Sequence, residues 1–68
     1  MPDITVLYIN FLAGKTQTDT ELVILLEGLR DAIRLLEADR KFMLVLREFR
    51  RDVESIEEFL RNRKENKP

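Results

Sequence analysis

The chain has 68 residues, 44% of them hydrophobic and 37% charged, with a formal net charge of −1. That size and balance describe one small folded domain, not a disordered chain. It contains no Cys, His or Trp, which excludes disulfides, thiolate or imidazole metal sites and any His-based acid–base catalysis.

Residues Ile4–Leu12 come first, reading Ile-Thr-Val-Leu-Tyr-Ile-Asn-Phe-Leu before Gly14. β-Branched and aromatic residues dominate, so the expectation is a β-strand. It would carry Ile4, Val6 and Tyr8 on one face and Leu7, Ile9 and Phe11 on the other, and so want cover on both sides. A short helix is the competing reading, because Pro2 suits a helix start and Ile4, Leu7, Tyr8 and Phe11 share helical spacing.

Ala13–Thr20 is a polar connector. Within it Ala13-Gly14-Lys15-Thr16 resembles the end of a phosphate-binding P-loop, but the first glycine of that pattern falls on Ile9, so nucleotide binding is not expected. Thr18 and Glu21 form a T-x-x-E capping box that starts a helix. Leu22, Leu25, Leu29, Ala32 and Leu36, flanked by Leu26 and Ile33, then recur at alternating steps of three and four, the period of an amphipathic helix. Gly28 lies inside this pattern, either tolerated or marking a close backbone approach.

Phe42, Leu46, Phe49, Val53, Ile56 and Leu60 repeat the same period in a different phase. The six-residue step from Leu36 to Phe42 turns the apolar face by about 240°, which one straight helix cannot reconcile. A turn near Glu37–Lys41, with Asp39 as the cap of the second helix, lets the two stripes face each other. Within the second helix, Arg50–Glu54 and Glu57–Arg61 are candidate i,i+4 ion pairs.

The expected fold is therefore α+β and mostly α. A strand at 4–12 precedes an antiparallel hairpin of helices at 19–38 and 40–63, with a frayed tail at 64–68. Dimerisation through the strand, antiparallel about a two-fold axis, would complete it. The alternative is β-α-β-α, in which Phe42–Leu46 forms a second, buried strand.

Charge is divided along the chain. Residues 1–39 hold three basic and seven acidic side chains, and residues 40–68 hold nine and six. A hairpin would set an acidic helix beside a basic one and favour the antiparallel register at its rim.

Catalytic material is sparse. Ser55 is the only serine and has no His base. Glu54, Glu57 and Glu58 share a helical turn that a hard cation could use, although a solvated face explains them as well. The expectation is a non-enzymatic protein–protein interaction module without cofactors: a small adaptor, inhibitor or assembly factor. It would act as a homodimer, and toward a further protein, through a hydrophobic helical surface. The residues named for that surface are Val6, Tyr8, Leu22, Val23, Leu26, Met43 and Leu44, because one seam cannot cover them all.

The alternative is a small nucleic-acid-binding regulator using Arg40, Arg47, Arg50 and Arg51 as phosphate contacts. Ribbon-helix-helix repressors share the strand-helix-helix order, but the expected strand has no Arg, Lys or Gln to read bases, so that family is not assigned. No stretch approaches the ~20 apolar residues of a membrane span. The N-terminus also lacks a signal-peptide pattern, so a cytoplasmic protein is expected.

Overall fold

A computed structural model of the chain describes residues 3–65, with side chains through Arg63. Pro2 and residues 66–68 of the expected tail lie outside the described residues. Three helices form: α1 over Ile4–Leu12, α2 over Asp19–Leu36 and α3 over Met43–Glu65, with one 3₁₀ turn, Arg40–Phe42, leading into α3. Among the described residues there is no strand, which corrects both the β-α-α and the β-α-β-α expectations.

The run Ile4–Leu12 is helical despite its β-branched residues because both ends are specified. Asp3 is the N-cap, its Oδ1 accepting from Thr5 N–H at 2.9 Å. At the other end Gly14 adopts φ +76°. Its N–H donates to Phe11 C=O at 3.1 Å, and Lys15 N–H donates to Asn10 C=O at 3.0 Å. That pair of bonds is a Schellman motif with glycine in its left-handed position. A helix also satisfies its backbone internally, whereas a lone strand would leave a full ladder of donors and acceptors without partners. Local strand propensity is a weak preference beside those terms.

The second segment Phe42–Leu46 is helical for the reason its phase suggests. Leu46 is buried, and in phase with it Val53 and Ile56 belong to the core cluster against which Phe49 and Leu60 pack. No strand partner exists for it among the described residues, and Asp39 caps the turn that leads into it, accepting from Lys41 N–H at 3.1 Å.

The α2–α3 pair is the antiparallel hairpin. The capping box at its start is complete: Glu21 N–H donates to Thr18 Oγ1 at 3.1 Å, and Thr18 N–H donates to Glu21 Oε1 at 2.9 Å. Three ion pairs bridge the helices at successive levels: Asp19 with Arg63, Arg30 with Glu57 (3.1 Å), and Glu37 with Arg50 (3.0 Å). Arg50 and Glu57 thus take partners across the hairpin in place of the expected i,i+4 pairs along α3. Each of these exposed pairs is worth only about 0–1 kcal/mol, so they mark register more than they stabilise it.

Helix α1 folds back along the first half of α2. Ile4 lies on Gly28, where an added Cβ would come within 2.6 Å of Ile4 Cδ1. Leu7 is buried in one cluster with Leu22, Leu25, Leu26, Leu29, Val53 and Ile56. On the α3 side the Tyr8 ring meets Phe49 edge-on, centroids 5.7 Å apart. Three layers therefore exist only at the base of the hairpin. Toward its tip, Ala32, Ile33, Leu36 and Phe42 are only half-buried, and the molecule is drawn out to 45 × 24 × 19 Å.

Candidate protein-interaction surface

Helix α1 contains no charged residue. Its inner face is taken up by Ile4, Leu7, Tyr8 and Phe11. Steps of three residues turn a helix by about −60°, so Val6, Ile9 and Leu12 form an arc on the opposite side. All three face solvent, at 52%, 58% and 61% exposure. A helix that is apolar all round is ordinarily buried, so this outer arc is the least satisfied surface of the base.

A second exposed apolar group lies at the hairpin tip. Leu35 near the end of α2 and Met43, Leu44 and Val45 at the start of α3 all reach solvent, Leu44 at 78% exposure. Leu44, Arg47 and Arg51 form a ridge on α3 with a shallow groove on each flank. Glu48 lines one groove and Glu54 the other, so each basic groove also carries a carboxylate. Arg50 is held by Glu37 and Arg40 sits exposed in the 3₁₀ turn. Among the described residues Arg40, Arg47 and Arg51 make no ion pair.

The residues singled out from sequence are thus dispersed. Val6, Val23, Met43 and Leu44 are exposed, on three different helices. Leu22 and Leu26 are core residues of the chain itself. Tyr8 is half-buried and committed within the chain: its hydroxyl donates to Asp52 Oδ2 at 2.6 Å. Burial, that hydrogen bond and the nearby negative charge of Asp52 and Glu48 push the Tyr8 phenol up to about 12.

Ile9 and Leu12 were missed because a strand reading divides residues into two alternating faces. The spacing of Ile4, Leu7, Tyr8 and Phe11 already implied them, since it leaves positions 6, 9 and 12 opposite. Glu54, Glu57 and Glu58 do not converge, Glu57 being turned toward Arg30, and no group of three potential metal ligands forms among the described residues. No helix among the described residues is long and apolar enough to cross a membrane. Comparison with protein families, with characterised proteins and with solved structures gave no match.

Proposed function

We propose that this chain is a non-enzymatic protein-interaction module that assembles with a second copy of itself through the outer face of α1 and presents the hairpin tip to a further protein. The observation that carries the reading is the uncharged α1 with Val6, Ile9 and Leu12 in solvent. The stripe is self-complementary. Antiparallel packing about a two-fold axis sets Ile9 on the axis and Val6 of one copy against Leu12 of the other, an isologous contact. This replaces a strand-to-strand dimer, for which no strand exists among the described residues.

The tip suits a different occupant. Its exposed Met43 and Leu44 line a groove with Arg47 and Arg51, a composition found at protein interfaces, where Met and Arg are enriched. Nucleic-acid binding is the second reading, favoured by the lack of ion-pair partners for Arg47 and Arg51 among the described residues. It predicts binding to duplex DNA that weakens steeply with salt.

Light scattering beside circular dichroism tests the main reading. Wild type should show twice the 8.1 kDa chain mass, and Ile9→Glu should be a monomer of unchanged helicity. A wild-type chain that stays monomeric at high concentration would sink it.

A further inference from the structure

A cleft of about 360 Å³ opens where the connector between α1 and α2 passes over α3. Its volume falls within the roughly 300–1,000 Å³ of small-molecule sites, and its make-up also fits them: apolar walls with a few placed polar groups. Phe11, Leu22, Ile56 and Phe59 supply the walls, one or more from each helix.

Gln17 also lines it, and is only 6% exposed. Its Nε2 donates to Leu7 C=O at 3.0 Å, which fixes the amide. Its Oε1 is buried and receives no hydrogen bond from the protein. A buried acceptor in that condition costs roughly 1–3 kcal/mol, and this one lies behind the cleft wall rather than on it.

The rim is cationic. Arg63 is set in place by Asp19, by a bond to Gln17 C=O at 3.2 Å and by the Phe59 ring, 4.5 Å from its guanidinium carbon. Lys15 lines the same opening and makes no ion pair among the described residues.

We propose that this cleft binds a small organic anion with an apolar body. The body lies between Phe11 and Phe59, and the negative group is directed to Lys15 and Arg63. Because the walls belong to all three helices, occupancy fastens α1 to the hairpin and stabilises the fold by mass action.

Two dyes test the site. Anilinonaphthalene sulfonate has an aromatic body, an N–H and a negative charge, whereas N-phenyl-1-naphthylamine has the body and N–H alone. The sulfonate dye should bind one per chain and raise the melting temperature. Ser55→Phe, which fills the cleft from an exposed helix position, should weaken both dyes about tenfold or more with circular dichroism unchanged. Phe59→Ala, on an exposed ring, serves as the second variant if Ser55→Phe does not fold.

Lys15→Glu should weaken the sulfonate dye several-fold and leave the neutral dye unaffected. Ile9→Glu should change neither, which separates this site from the α1 face. Wild-type affinity in Ser55→Phe or in Phe59→Ala would place the dyes elsewhere and overturn the proposal. Equal behaviour of the two dyes in Lys15→Glu would overturn the anionic ligand class.

Discussion

Tyr8 joins α1 to α3 by two contacts at once, its ring on Phe49 and its hydroxyl on Asp52. It is the only tyrosine and there is no Trp, so its ultraviolet absorbance reports on this junction alone. Burial first, then the Asp52 hydrogen bond and charge, raise its pKa from 10.0 to about 12. A raised pKa means that the folded state holds the proton more tightly than the unfolded state. The resulting stability is fully present below pH 10 and is lost as pH rises through about 12. Absorbance titration should show tyrosinate appearing late, and urea midpoints should fall over that window. Tyr8→Phe should cost about 1.5 kcal/mol, because the lost bond was to a charged acceptor, and should abolish the alkaline step. Titration near pH 10 in the folded protein would show that Tyr8 is neither buried nor bonded to Asp52. Gly28 offers a second test at this scale. Alanine there gains about 1 kcal/mol in helix propensity. Against that gain, its Cβ would stand 3.1 Å from Ile4 Cγ2, a branch that cannot swing freely. Gly28→Ala alone should therefore not stabilise the protein, whereas in an Ile4→Ala background it should, by about 1 kcal/mol. The same gain in both backgrounds would mean that Ile4 does not sit on Gly28.

The helices differ in how plainly the sequence announces them. Helix α2 carries its own start signal in Thr18 and Glu21, and the two out-of-phase stripes require the turn at residues 37–42. Those features depend on local bonds and on a strong period, and both are visible in a string of residues. Helix α1 is poorly announced because Ile4–Leu12 is apolar on nearly every side, so its periodicity is weak and its composition favours a strand. What settled the matter was punctuation: Asp3 before the run and Gly14 after it. A glycine after an apolar run can end a strand, but a glycine two residues past a helix is equally its C′ position. The candidate surface went the same way, since choosing the wrong period moved Ile9 from its place beside Val6. The cross-helix partners of Arg50 and Glu57 were beyond reach, because an i,i+4 pair is readable in sequence and a pair across the hairpin needs its register. The cap can be tested directly. An added Cβ at Gly14 meets no atom within 4 Å, so Gly14→Ala probes backbone strain alone. It should cost about 1–2 kcal/mol, with Gly14→Asn costing less because Asn tolerates the left-handed region. If alanine is neutral in thermal melts, the Schellman turn is not what ends α1.

At the scale of the whole molecule, burial is graded along the hairpin. The base has three layers and holds the fully buried Leu25 and Ile56. The tip has two helices, a turn without Gly or Pro, and exposed Leu35, Met43 and Leu44. Local opening free energy follows the apolar contacts that must be broken. Amide exchange should therefore be slowest at Leu22–Leu29 and Val53–Ile56 and faster over Leu36–Leu46. The same measurement separates the proposed surfaces. A dimer built on α1 adds cover at the base, where three layers already stand. The amides of residues 4–12 should gain protection as protein concentration rises, while those of residues 36–46 should not. Deleting residues 1–12 gives no clean test, because it strips Leu7, Tyr8 and Phe11 from the core and would produce aggregate whether or not α1 pairs. Exchange at two concentrations leaves the core intact and reads the interface in place. Protection that grows at Met43–Leu46 instead would move self-association to the hairpin tip. Protection that is independent of concentration throughout would leave α1 without a second copy, and the outer arc of Val6, Ile9 and Leu12 would then belong to a different protein partner.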